Sequence, residues 1–187
     1  MVVLDGVGDK SLNNKMYRFP SHLFIVLLFY LAGYFELLAQ DRALSKQPGD
    51  IKVMSFNIRL GVAKDGENRW DLRKELVVKT IREYTPDLLG LQEVFPMQEE
   101  YLRENFPGYV YYGRSRLVDP NDGEACSVMF RKDRFDAIEK STFWLSETPD
   151  KPGSKSWDSS LPRIANIVRL QDKQAEGKKL VLINTHF

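Results

Sequence analysis

Asn57, Glu93, Asn184 and His186 each stand at the downstream end of a short run that reads as a strand. In open α/β sheets ligands sit beyond the carboxyl ends of the strands, so parallel strands would gather these four residues at one rim although they are far apart in the chain. The groups on offer are a carboxylate, two carboxamides and an imidazole, with the guanidinium of Arg163 at the start of another such run. No Cys/His spacing resembles a zinc site. Taken singly, each residue has a plain structural explanation. Glu93 precedes a helix whose dipole favours an acidic start, Asn57 suits a turn, His186 sits near the chain end, and Arg163 follows a proline as a surface charge would. Their shared placement favours a common functional role. Arg114, Glu124 and Trp157 fall in loops and are second-rank candidates. Arg114 and Trp157 suit the wall of a cleft, because binding residues favour loops on a rigid scaffold. The competing reading of Trp157 is a hydrophobic plug that pins its own loop.

The elements that must position these residues follow from periodicity. Ile51 to Asn57 alternates apolar and polar side chains and predicts a strand with one buried face. Over Trp70 to Tyr84 the residues Val77, Ile81 and Tyr84 recur at helical spacing, with Leu72 and Leu76 as a second apolar row and charges opposite. Thr85-Pro86 ends that helix, since proline restricts the residue before it. Leu88 to Leu91 is a short buried strand, and strand, helix, strand at this length predicts a βαβ unit. A short helix over Pro96 to Asn105 follows, then strands at Tyr109 to Tyr112, Ala125 to Phe130, Phe135 to Trp144, Arg163 to Leu170 and Lys179 to Asn184. Arg114 to Glu124 is a polar loop. Ser146 to Leu161 is a long irregular stretch, and a loop of that length in a compact domain is functional or disordered. The fold class is α/β, rich in strands after its βαβ opening.

The chain has 187 residues, 43% hydrophobic and 28% charged, enough for one domain with a sizeable core. Its 27 basic and 26 acidic side chains nearly cancel, which gives no electrostatic reason for strong non-specific nucleic-acid binding. The single cysteine, Cys126, excludes an intramolecular disulfide and reads as a buried, inert thiol. Near the N-terminus Lys10, Lys15 and Arg18 precede an apolar run from Leu23 to Phe35 of about 13 residues, too short for a comfortable membrane span. With Ala39 behind it, this reads as a secretory signal over residues 1–40, with a retained signal anchor as the alternative. Met16 offers a start that gives a signal of ordinary length. Residues 41–50 then form a linker, the folded part spans residues 51–187, and the mature protein is expected to be exported, periplasmic or extracellular.

Four motifs in order carry a family resemblance: Met54-Ser-Phe-Asn57, Gly90-Leu-Gln-Glu93-Val, Leu161-Pro-Arg163 and Asn184-Thr-His186-Phe. Together they resemble the endonuclease/exonuclease/phosphatase superfamily, which includes repair exonucleases, pancreatic-type deoxyribonuclease, inositol phosphatases, sphingomyelinases and deadenylases. The resemblance implies a four-layered sandwich, two mixed sheets face to face with helices outside. It also implies hydrolysis of a phosphoester by water activated with a divalent ion, Mg2+ or Mn2+. Glu93 then corresponds to the metal-ligating carboxylate, and Asn57 to the amide beside the metal. His186 corresponds to the histidine that steadies charge on the scissile phosphate, Arg163 to a basic residue near that phosphate, and Asn184 to a buttress of the last turn. The pattern further calls for a Gly-Asn-x-Asp segment and a late Asp-His pair, expected beyond Phe187. The chain therefore reads as the N-terminal portion of its domain, with little activity expected from it alone.

The substrate class stays open between small phosphoesters, lipid head groups and nucleic acid. No protein partner is implied, and the expectation is a monomer. The alternative of a different class is a non-catalytic exported protein of the same fold.

Overall fold

The computed structural model describes residues 49–187. The expected signal segment and the linker up to residue 48 lie outside the described residues. The chain opens with β1 (Val53–Asn57), α1 (Trp70–Tyr84), β2 (Leu88–Gln92) and α2 (Pro96–Asn105), and continues with β3 (Tyr109–Tyr112) and β4 (Val128–Arg131). Three longer strands complete it: β5 (Phe135–Trp144), β6 (Ile164–Asp172) and β7 (Lys179–Thr185). The first sheet has the order β1-β2-β4-β3 and the second β5-β6-β7. β1 and β2 pair in parallel, Val53 opposite Leu88 and Asn57 opposite Gln92, as the βαβ reading requires. Every other pairing is antiparallel.

This corrects the expectation of one parallel rim. Asn57 and Glu93 do follow adjacent parallel strands, but Asn184 and His186 belong to the other sheet. Convergence comes from two sheets packed face to face, not from neighbouring strands of one sheet.

The period-2 alternation of the strands sorts their side chains into two layers. Leu89, Leu91, Tyr111 and Met129 point toward the helices and bury with Val77, Val78, Ile81 and Leu102. Leu88, Val128 and Phe130 point the other way and bury with Phe135, Val168 and Leu170 of the second sheet. All five residues of β2 are buried because both of its faces are covered. The sequence reading of α1 needs correction. Its buried stripe is Trp70, Val77, Val78 and Ile81, whereas Leu72, Leu76 and Tyr84 are 56%, 63% and 44% exposed. The Leu76 row faces a groove along β1, the outermost strand of its sheet, where no described element covers it.

One ion cluster ties both sheets at the end away from Glu93. Arg134, in the turn before β5, is almost wholly buried. Its guanidinium donates to Asp172 at the end of β6 (3.0 Å), to Asp87 just before β2 (3.1 Å) and to the carbonyls of Gly49 and Asp50 (3.1 and 2.7 Å). Burial opposes ionisation of Asp172. The hydrogen bonds from Arg134 and from the Gln174 amide outweigh it and hold the carboxyl below its usual range. The contribution of Asp172 is therefore complete above the ordinary carboxylate range and is lost as pH falls below that range, through the lowered folded-state value. Replacing Arg134 with Met removes the cation shared by two buried carboxylates and is expected to cost about 3–5 kcal/mol. Urea unfolding at neutral pH checks this, and a loss under 1 kcal/mol would show the cluster to be dispensable.

Candidate active site

Glu93 follows β2 at φ 60°, a left-handed conformation that a non-glycine residue adopts only when its surroundings hold it there. They do so through the carboxylate. Oε1 accepts the Asn57 Nδ2–H (2.9 Å) and Oε2 accepts the Leu60 amide (2.8 Å). This excludes the reading of Glu93 as a helix-start charge. The N-terminus of α2 is closed instead by Gln98, whose Oε1 accepts the Phe95 amide (2.9 Å). Burial pulls the Glu93 pKa upward, but the two hydrogen bonds, with His186 and Arg59 nearby, outweigh it and keep the group ionised below its usual range.

The loop after β1 is fixed with equal care. Asn57 Oδ1 accepts the Arg59 amide (2.8 Å), while Arg73 and Gln98 both donate to the Arg59 carbonyl (2.7 and 2.9 Å). Arg59 is itself at φ 60°. Two nitrogens of its guanidinium engage Asp65 (both 2.9 Å), and the third lies 3.9 Å from Glu93 Oε2. His186 completes the group from the second sheet, its Nε2 3.9 Å from Glu93 Oε1.

Asn184 sets where His186 stands. It is buried, and its amide nitrogen donates to the carbonyls of Leu91 (2.7 Å) and Ser127 (2.8 Å) in the opposite sheet. Its oxygen accepts from Gln92 (2.7 Å), whose nitrogen also reaches Ser55 of β1 (3.3 Å). Asn184 is thus bound on both ends of its amide and does not present a free polar group to solvent. Its cross-strand neighbour Asn166 repeats the device and donates to the Cys126 carbonyl (2.6 Å). Gly90 makes room for the staple. A Cβ there would lie 2.8 Å from Asn184 Oδ1.

Arg163 stands just before β6, its carbonyl accepting the Leu145 amide (2.7 Å), and makes no side-chain contact with Glu93 or His186 among the hydrogen bonds and ion pairs of the described residues. Burial first, then Glu124, pushes the Cys126 thiol up to about 12, which agrees with an inert sulfur. Arg114 is half-buried and committed to structure, its guanidinium over the Trp144 ring at 5.0 Å and donating to the Val118 carbonyl (3.3 Å). Glu124 pairs with Arg116. Trp157 is 69% exposed, so the plug reading is wrong.

The sequence profile of the Endonuclease/Exonuclease/phosphatase family matches residues 54–175, more than half of the chain. The chain belongs to this family. Its fold is similar to the endonuclease/exonuclease/phosphatase protein of Bacteroides vulgatus, with a TM-score of 0.70 and 36% identity over 73% of this chain and 52% of that one. It is equally similar to a mannosyl-6-phosphatase of Bacteroides thetaiotaomicron, with a TM-score of 0.69, 35% identity, and 73% and 51% coverage. A curated relative is the CCR4-Not complex 3'-5'-exoribonuclease subunit Ccr4 of Emericella nidulans, 25% identical over 81% of this chain and 26% of that protein. The chain spans about half the length of the structural relatives and about a quarter of the curated one. Family members generally use divalent metals. Among the described residues no group of three or more His, Cys, Asp or Glu gathers. The Asn57 group that faces Glu93 is its NH2, the Asn57 oxygen being taken by the Arg59 amide, so the donor set at Glu93 is one ionised carboxylate. That fits a hard ion such as Mg2+, which keeps several waters and shares substrate phosphate oxygens.

Residues missed in the sequence are the supports: Gly90, Gln92, Gln98, Arg73, Arg59 and Asn166. Two had a signal. An isolated glycine inside a strand marks close approach of another group, and an asparagine within Ile-Ala-Asn-Ile-Val must find partners if buried. Asn184→Ala is expected to cost about 3 kcal/mol by leaving buried groups unpaired, and Gly90→Ala about 1–3 kcal/mol by crowding. The double variant should lose less than the sum, because the crowded amide is gone. Additive losses in denaturant unfolding would contradict the contact.

Proposed function

We propose that the protein is an exported phosphoester hydrolase that uses Mg2+ or Mn2+ and acts on a small soluble phosphate ester, as a monomer. The observation that carries this reading is the Glu93 carboxylate, tied on both oxygens to Asn57 and Leu60 with His186 Nε2 3.9 Å away. Glu93 and Asn57 would hold the ion. When bound, it supplies Lewis-acid polarisation of the phosphoryl group and neutralises charge. His186, near the same Glu93 oxygen as Asn57, donates to an oxygen of the scissile phosphate, where negative charge grows in the transition state. Arg163 offers a planar fork suited to two phosphate oxygens. The locked backbone around Glu93 and Arg59 keeps these groups in place without reorganisation during the reaction.

The small-ester reading draws on the near-neutral charge of the chain and on its similarity to the mannosyl-6-phosphatase. The similarity to Ccr4 supports a second reading, a nuclease, which the same assay addresses. Export rests on the basic and apolar N-terminal segment.

The test is hydrolysis of bis-p-nitrophenyl phosphate, a panel of phosphomonoesters and an oligoribonucleotide by the full-length protein that carries this sequence. Turnover should need Mg2+ or Mn2+, stop with EDTA and be lost in Glu93→Ala. His186→Ala should lower kcat roughly 10²–10³-fold, the cost of one preorganised donor. A folded full-length protein inactive on every ester would sink the enzyme reading and leave a binding-only protein of this fold.

A further inference from the structure

The stretch from Leu145 to Arg163 is neither disordered nor filled by its own tryptophan. It leaves β5 after Trp144 and returns at Ile164, whose carbonyl accepts the Thr185 hydroxyl (2.8 Å), one residue before His186. Both roots of the loop therefore stand at the His186 end of the sandwich. The loop is held from within and from beside. Ser146 and Ser154 hydroxyls bond at 2.7 Å, and the Glu147 amide donates to the Ser156 hydroxyl (3.0 Å). Gly153, at φ 75°, packs so closely on Val118 of the neighbouring loop that a Cβ would lie 2.8 Å from its methyl group.

At the tip, the Ser159 amide donates to the Ser156 carbonyl (3.2 Å) and closes a tight turn. Its two central residues, Trp157 and Asp158, are both left-handed, at φ 55° and 59°. Turns of this kind favour Asn-Gly, because a Cβ in that conformation crowds the following carbonyl oxygen. Here the positions hold a tryptophan and an aspartate, and both are exposed. Trp70 and Trp144 are buried, as large aromatics usually are. Of the three tryptophans Trp157 alone is turned to solvent, on a strained turn closed by a hydrogen bond, in a loop whose roots stand at the end of the fold that carries the candidate site. Strain kept in place by surrounding bonds is a mark of function.

An indole face exposed in this way takes a flat partner: a nucleobase, or the C–H face of a sugar ring. Asp158 separates the two. A carboxylate accepts hydrogen bonds from hydroxyl groups, and it repels the phosphates that flank a base in a nucleic-acid strand. We propose that Trp157 and Asp158 form the ring subsite of the substrate. The indole face takes the C–H face of a hexopyranose phosphate whose phosphoryl group lies at Glu93 and His186, and Asp158 accepts its hydroxyls. This deepens the phosphohydrolase reading and rests on it.

The experiment compares the wild-type full-length protein with Trp157→Ala, Trp157→Phe and Asp158→Asn on hexose 6-phosphate, glycerol phosphate and a nucleoside monophosphate. Trp157→Ala should raise KM for hexose 6-phosphate about tenfold, the scale of a lost ring contact, with kcat within about twofold. Phe should restore most of the loss, and KM for glycerol phosphate, which has no ring, should not move. An unchanged KM for hexose 6-phosphate, an equal rise for glycerol phosphate, or a rise confined to the nucleotide overturns the proposal. A readout without turnover separates it from the hydrolase reading. Hexose 6-phosphate should shield the exposed tryptophan from acrylamide quenching, and glycerol phosphate should not. Shielding without hydrolysis of any ester would mean that the hydrolase reading fails and the subsite stands. Hydrolysis without shielding would mean the reverse.

Discussion

The amide of Asn184 donates both of its N–H groups across the sandwich, to carbonyls of Leu91 and Ser127, while its oxygen takes the Gln92 side chain. A buried polar group without partners costs free energy, so this amide has one stable seat, and that seat fixes the register of one sheet over the other. The consequences run in both directions along the chain. One residue beyond Gln92 is Glu93, and two beyond Asn184 is His186. Gly90 is glycine because the amide lies against its backbone. Two of the four sequence motifs therefore meet at a single buried side chain, and a third joins them through the Gln92 contact with Ser55.

The two ends of the sandwich divide the work. Around Arg134 the charges are buried, paired and far from solvent, and they tie the entry to β1 and β2 to the ends of the second sheet. Around Glu93 the charges are half-exposed, and the backbone carries the strain, with left-handed Arg59 and Glu93 held by Asn57, Arg73 and Gln98. Strain at one end is tolerable because packing and ion pairs hold the rest of the fold in register. The loop with Trp157 extends the same pattern outward from the second sheet.

The βαβ opening, the two helices and the strands of the second sheet were legible in the sequence, because each has strong periodicity and proline or glycine punctuation. Glu93, Asn57 and His186 were legible because they stand at strand ends, and the structure brings all three together. Two things were not legible. The helical face of α1 is not legible, because Leu72 and Leu76 are apolar yet exposed, and periodicity reports apolarity rather than the presence of a covering neighbour. Parallel strands alone do not bring His186 onto Glu93; the convergence depends on face-to-face packing of the two sheets, which no single strand encodes. The supports Gln98, Arg73 and Asn166 look like ordinary polar residues until their long-range partners are known. Their roles come from contacts between residues more than ten positions apart.

The central claim is that the buried staple, not only the residues at the rim, holds the site together. The most direct measurement is Mn2+ affinity, followed by electron paramagnetic resonance, for the wild-type protein and for Asn184→Ala under conditions where both are folded. Asn184 lies behind the site and contacts neither Glu93 oxygen. The account predicts that its loss still weakens Mn2+ binding by about 10–100-fold, as removal of an outer support does. Unchanged affinity in a folded Asn184→Ala protein would contradict it and would reduce the site to Glu93, Asn57 and their local loop.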